Sequence, residues 1–202
     1  MDKQIILITG ASGFIGRALT KRLGRTYRVI GLDRSPAKDD PDLAASYRMD
    51  LGDDASVATA LEQVRDDFGD QFAACIHLAA YFDITGEPNP LYEKVNVEGS
   101  RRLITELQAF DIEQFIYASS MLVHEPKPLP GVRIDESSPL GPTWPYPQSK
   151  ADAEQVLREN RGEIPVVFLR FAGVYDDEGH SAFLAEQIAG VYEHRVSAHL
   201  YP

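Results

Sequence analysis

A tyrosine and a lysine stand four residues apart in Tyr146-Pro147-Gln148-Ser149-Lys150. On a helix that spacing puts both on one side, where an ammonium can act on a phenol. A phenol at its reference pKa of ~10 is a poor base near neutrality, but a neighbouring cation favours the phenolate. Such a tyrosine exchanges a proton with a substrate hydroxyl or carbonyl. The pattern is common by chance, so its meaning depends on what surrounds it. Upstream, Tyr117-Ala118-Ser119-Ser120-Met121 closes an apolar, strand-like run with two hydroxyls. Ligands gather at the carboxyl ends of parallel strands, where a hydroxyl can hold a substrate oxygen. The spacing leaves open whether Ser119 or Ser120 points inward.

A second group is Thr9-Gly10-Ala11-Ser12-Gly13-Phe14-Ile15-Gly16, which follows an apolar run and opens a helical pattern. That is the context of a dinucleotide-binding turn. Gly10 allows the tight turn, Gly13 lets the backbone approach a pyrophosphate, and Gly16 lets the helix pack on the sheet. The helix start adds free N–H groups and a partial positive charge. The contact set from this turn is Gly10, Ser12, Gly13, Phe14, Ile15 and Gly16. Asp33 ends the next strand, 17 residues beyond Gly16. A carboxylate there accepts from the adenosine ribose and repels a 2′-phosphate, so NAD is favoured over NADP. Arg34 can stack on adenine or tolerate a 2′-phosphate; Asp33 as a simple turn residue is the plainer alternative.

The elements that must position these groups read as alternating strands and helices. Strands are expected at 4–8, 27–32, 46–51, 72–78, 115–119 and 166–171. Helices are expected at about 13–23, at 54–68 with Asp53 as N-cap, at 89–110, at 146–160 and at 182–194. Such alternation implies an α/β fold: a Rossmann-like, doubly wound parallel sheet with helices on both faces. The stretch 125–145 is rich in proline and reads as an ordered loop lying over something. The whole chain, 1–202, reads as one dinucleotide-binding domain.

Composition excludes several classes. Hydrophobic residues make up 44% and charged residues 25%, as in an ordinary globular protein rather than a disordered or fibrous one. The formal net charge of −11 disfavours nucleic-acid binding, and no basic amphipathic face suggests a membrane surface. No apolar run approaches the ~18 residues of a membrane span. No secretion signal is read at the start, and the single Cys75 lies in an apolar run as a core thiol. Cytoplasmic localisation is the default expectation, and no metal site is read.

Taken together the motifs resemble the extended branch of the short-chain dehydrogenase/reductase superfamily, the NAD-dependent epimerases and dehydratases. The match runs in order through TGASGFIG at 9–16, Asp33, Asp50-Leu51, His77-Leu78-Ala79-Ala80, Asn96-Val97-Glu98-Gly99, YASSM at 117–121, YPQSK at 146–150 and Leu169-Arg170-Phe171. The resemblance implies that Asp50 and Leu51 sit beside adenine, and that Leu78, Ala79 and Ala80 border the dinucleotide. It implies Ser120 as the catalytic serine, Tyr146 as the acid/base, and Lys150 as its pKa-lowering partner and ribose anchor. Asn96 resembles the asparagine that organises a water-linked proton path or braces the active-site backbone. His77 is read as a packing residue. A homodimer through the helices at 89–110 and 146–160 is a further expectation.

Departures shape the functional expectation. Glycine, Gly173, stands where nucleotide-sugar members carry an asparagine, and Val123-His124-Glu125 replaces the usual Val-Tyr-Gly. Met121 and Leu122 cannot serve as the extra acid/base pair of a dehydratase. Members run to about 300 residues, so the length predicts a fragment or shortened product lacking most of a substrate lobe. The expected function is an NAD-dependent oxidoreductase or epimerase acting at a hydroxyl-bearing carbon of a sugar or nucleotide-sugar-like small molecule. The alternatives are a reductase or dehydrogenase of a non-nucleotide carbonyl compound and a non-catalytic dinucleotide-binding protein.

Overall fold

The computed structural model describes residues 3–37, 39–83, 85–126, 133–176 and 182–193. Six strands build one sheet: β1 (Ile5–Thr9), β2 (Arg28–Asp33), β3 (Ala45–Arg48), β5 (Ala74–His77), β7 (Phe115–Ser120) and β8 (Val166–Phe171). Their order is β3-β2-β1-β5-β7-β8, with every pairing parallel. The chain reverses its direction of winding between β1 and β5, which opens a crevice beyond the carboxyl ends of those two strands. Helices α1 (Phe14–Leu23), α2 (Asp54–Phe68), α3 (Glu98–Leu107) and α4 (Pro145–Asn160) cover the sheet, and α5 (Ala182–Tyr192) follows β8.

The two faces have separate cores, as a doubly wound sheet requires. On one side Leu7, Leu32, Cys75, Phe115 and Tyr117 pack against Val57, Leu61, Leu103, Ile104, Leu107 and Leu157 of α2, α3 and α4. On the other, Ile6, Ile8, Val29 and Ile76 meet Leu19 and Leu23 of α1. Asp53 caps α2 by accepting from the Ser56 N–H at 3.1 Å. A cap contributes ~1 kcal/mol. Burial of Val57, Leu61 and Val64 contributes ~1.5–3 kcal/mol each, so packing holds this helix more than its cap does. No helix among the described residues is long and apolar enough to cross a membrane.

Beyond shifts of one or two residues at element ends, the elements depart from the sequence reading as follows. The strand expected at 46–51 ends at Arg48, because Met49 and Leu51 turn into the core. The run 72–78 is interrupted at Ala73: Phe72 belongs to β4 (Gln71–Phe72), which pairs with β6 (Asp111–Ile112) in a separate two-stranded sheet. The helix expected over 89–110 opens as a π-helical turn, Tyr92–Val97, before becoming regular at Glu98. π-turns gather at functional sites, and this one carries Asn96.

Candidate cofactor and proton-transfer site

The glycine turn after β1 is shaped by backbone approach. Gly10 has φ +71°, donates its N–H to Leu32 O at 2.9 Å, and a Cβ there would lie 2.8 Å from Ala79 N. A Cβ on Gly16 would collide with Gly10 O, so α1 can sit under the turn only with glycine there. At Gly13 a Cβ would meet only Gly10 O, at 3.2 Å, leaving the outward side open, and no side chain caps α1. A cleft of about 480 Å³ spreads from this turn, within the range of cofactor sites. Gly10, Ser12, Gly13, Asp33, Arg34, Asp50, Leu51, Leu78, Ala79 and Ala80 border it as expected. Phe14, Ile15, Gly16, Tyr146 and Lys150, also expected at the cofactor, are not among its walls; Gly16 is buried beneath the turn.

Asp33 serves the turn and also faces the cleft. Its carboxylate accepts from Ser12 N–H and from Ser35 N–H, both at 3.2 Å, and still lines the cleft. Asp50 accepts from Gly52 N–H at 2.9 Å, which fixes the wall where adenine is expected. The open glycine backbone, the uncapped helix and two cleft-facing carboxylates fit a dinucleotide with its diphosphate at α1 and its ribose at Asp33.

Tyr146 of α4 touches one of the cleft walls. Phe82, a cleft wall, meets the Tyr146 ring edge-on at 4.7 Å between centroids. Trp144 and Tyr92 stand 5.6 and 6.4 Å from the same ring. Burial pushes the Tyr146 phenol up to about 12, and Tyr92 adds to the rise. Lys150 is buried, its Nζ 4.5 Å from the centre of the Tyr117 ring, and burial pushes it down to about 7 despite the opposing charge of Glu154. The expected lowering of the phenol by Lys150 is therefore corrected in this arrangement. The ammonium is itself desolvated and lies over the Tyr117 ring.

The two serines face opposite ways. Ser119 donates to Glu154 Oε1 at 2.6 Å, toward α4, whereas Ser120 faces the opposite way and caps the short 3₁₀ turn Met121–Val123 by accepting from Leu122 N–H at 3.2 Å. Asn96 is a buried hub. Its Oδ1 accepts from Tyr81 N–H at 2.7 Å, and its Nδ2 donates to Tyr81 O at 3.0 Å and to Ser149 Oγ at 2.9 Å. Ser149 in turn donates to Tyr146 O at 2.7 Å.

A family profile, the NAD dependent epimerase/dehydratase family, matches residues 6–197. The chain belongs to that family. It is 28% identical to the sterol-4-alpha-carboxylate 3-dehydrogenase, decarboxylating, of Candida albicans, covering 85% of this chain and 51% of that protein. It is also 28% identical to the N-acetyl-alpha-D-glucosaminyl-diphospho-ditrans,octacis-undecaprenol 4-epimerase of Escherichia coli O157:H7, covering 94% and 55%. A solved short-chain dehydrogenase/reductase superfamily protein from Agrobacterium tumefaciens, with bound NAD, superposes with TM-score 0.72 at 28% identity over 91% of this chain and 55% of that one. The chain thus spans about half the length of the curated relatives it matches.

Within this epimerase/dehydratase chain, several site residues were not read from the sequence. Met49, Tyr81, Phe82, Leu91 and Val95 line the cleft, yet none carries a motif; Val95 lies in the π-turn and Leu91 just before it. His77, read as packing, is hydrogen-bonded at both ring nitrogens. His124, the departure from Val-Tyr-Gly, has Nε2 3.2 Å from Arg170 Nη1 and Nδ1 3.1 Å from Ser138 O. It ties the proline-rich loop to β8. Arg170 also grips the buried Glu154 through two nitrogens, at 2.9 and 2.7 Å. Burial alone would raise the Glu154 carboxyl, but hydrogen bonds from Arg170 and Ser119 bring it below its ordinary value.

Proposed function

We propose that the protein containing this chain is an NAD-dependent oxidoreductase or epimerase acting at a hydroxyl-bearing carbon of a sugar or nucleotide sugar. The observation that carries the reading is the glycine-turn cleft, bordered by Asp33 and Asp50 and reaching Phe82, whose ring meets that of Tyr146 edge-on at 4.7 Å. Gly10, Ser12, Gly13, Asp33, Asp50 and Ala79 would hold the dinucleotide, and NAD supplies hydride acceptance and return. Ser120 holds the substrate oxygen. Tyr146 gives a proton to that oxygen, or takes one from it. At about 12 the phenol is protonated near neutrality, which suits donation to a carbonyl; the reverse step would need positive charge near the phenol, which Lys150 of the same helix would supply. Lys150 would anchor the nicotinamide ribose. Asn96 braces Tyr81 and, through Ser149, the start of α4. The relative acting on a diphospho-linked amino sugar supports the substrate class.

One observation favours a second reading. Phe82, Trp144 and Tyr92 crowd the phenol with aromatic rings, and Gly173 has open space around it where sugar-nucleotide enzymes carry an asparagine. A cyclic ketone or alcohol without a nucleotide handle would suit such walls, as the sterol dehydrogenase among the relatives suggests. The test is absorbance at 340 nm with NAD⁺ or NADH against UDP-sugars and cyclic alcohols and ketones, with chromatographic separation of epimers for hydride that returns. Turnover lost in Tyr146→Phe while dinucleotide binding persists is the expected result. Turnover unchanged in that variant would overturn the acid/base role, and binding without any turnover across the panel would favour a non-catalytic protein.

A further inference from the structure

A chain of hydrogen bonds runs through the interior from the cofactor turn to the π-turn, with His77 at its centre. Thr9 Oγ1 lies 2.6 Å from His77 Nδ1, and His77 Nε2 lies 3.1 Å from Ser100 Oγ. Ser100 donates its hydroxyl to Asn96 O at 2.5 Å, and Ala79 donates its N–H to Thr9 Oγ1 at 3.2 Å. One assignment of protons satisfies all of these contacts. The Ser100 hydrogen is committed to Asn96, so Ser100 Oγ accepts and His77 Nε2 carries the ring proton. Nδ1 is then an acceptor, the Thr9 hydroxyl donates to it, and the remaining Thr9 lone pair receives Ala79 N–H. Thr9, His77, Asn96 and Ser100 are all buried.

We infer that His77, with Thr9 and Ser100, is a positioning residue that holds the Ala79 wall of the dinucleotide cleft and the Asn96 hub in register with Tyr146. Each end of the chain explains its use. Ala79 N lies where a Cβ on Gly10 would strike it, so the Thr9 contact sets the backbone that the glycine turn packs against. At the other end, Asn96 carries the order onward to Tyr81 and, through Ser149, to Tyr146. The network does not conduct protons, because it begins at a peptide N–H and ends at a peptide carbonyl, neither of which exchanges a proton in catalysis. A second proton on the ring would leave Thr9 facing a donor with a donor. Burial first, and the charge of Lys150 next, push His77 down to about 3, so the ring stays neutral through the working range.

What is positioned rests on the function proposed above, so the test separates the two. Trp144, the single tryptophan, has its ring 5.6 Å from that of Tyr146, and its emission follows NADH binding without turnover. His77→Phe keeps a ring and removes both hydrogen bonds. Thr9→Val removes one hydroxyl at nearly unchanged shape and keeps the test open if the ring variant folds poorly. Each is expected to weaken NADH about tenfold, the loss of roughly one buried hydrogen bond. The double variant should be no weaker than His77→Phe alone, and His77→Gln, which can donate to Ser100, should recover part of the affinity. With a turned-over substrate, kcat should fall while the substrate KM holds. NADH affinity unchanged in both single variants, or effects that add in full, would overturn the inference. Weakened NADH binding in these variants together with full turnover in Tyr146→Phe would leave the positioning role standing and sink the acid/base reading instead.

Discussion

Ser119 donates to the fully buried Glu154 at 2.6 Å, while its neighbour Ser120 turns the other way and caps Met121–Val123. Consecutive residues on a strand face opposite sides, so two adjacent hydroxyls cannot share one task. Ser119→Ala is expected to cost about 1–3 kcal/mol of stability, the cost of an unmet buried polar partner, with kcat within a few-fold of wild type. Ser120→Ala should do the reverse, lowering kcat by ten- to a hundredfold with a small change in urea midpoint. Paired urea titrations and steady-state kinetics check both; a kinetic loss confined to Ser119→Ala would exchange their roles.

Glu154 is held by Arg170 at two points and by Arg158 at 3.0 Å, with its carboxylate out of solvent. Removing one partner of a buried ion pair strands the other, at a cost of about 3–5 kcal/mol. Glu154→Ala should therefore lower the urea midpoint sharply and free Arg170, loosening the His124–Ser138 tie of the loop. The carboxyl is depressed in the folded state, so its contribution is present above its ordinary pKa and is lost as pH falls through the lower folded value. Acid titration of the variant should show a shallower stability loss in that window than wild type.

Gly10 and Asp33 define the cofactor end. Gly10→Ala forces a side chain to φ +71° and against Ala79 N, strain of about 1–3 kcal/mol, and it should abolish NADH binding as read by Trp144 emission. Asp33→Ala leaves the Ser12 N–H without its carboxylate. It should weaken NAD about tenfold and narrow the preference over NADP, because the negative charge facing a 2′-phosphate is gone. Isothermal titration with both cofactors checks this; an unchanged ratio would remove Asp33 from the ribose site.

The fold was largely legible because its signals are local and periodic. Val57, Leu61 and Val64 mark α2 to the residue, and Val166–Phe171 marks β8. The glycine turn was legible for the same reason, since its steric demand falls on the glycines themselves. The rest depends on partners distant in sequence. β4 and β6 are two residues each and exist only through pairing with one another. The π-turn at Tyr92–Val97 leaves no mark on apolar periodicity. Phe82 became a cleft wall, and His77 a hydrogen-bonded node, only once the sheet brought Thr9, Ser100 and Tyr146 near them. The rise of the Tyr146 phenol was not legible, because a four-residue spacing reports which side two groups share, not how much water each has lost.

That desolvation makes a prediction of its own. Lys150 is pushed from 10.5 down to about 7, chiefly by burial. A lowered amine pKa means that the unfolded chain holds the proton more tightly than the folded one. Below about 7 both states are protonated and the full burial penalty acts against folding. Between about 7 and 10.5 the folded state sheds its proton first, so stability rises with pH through that window. Above it, both states are neutral and the penalty is gone. Lys150→Met, which fills similar space without charge, is expected to raise the melting temperature at pH 6 and to lose that advantage steadily toward pH 10. The comparison of wild type and variant isolates this group from the carboxylates and from the other lysines, which both proteins share. An advantage that stays constant across that range would mean the ammonium is solvated in the folded protein, and its approach to the Tyr117 ring would then contribute nothing to its titration.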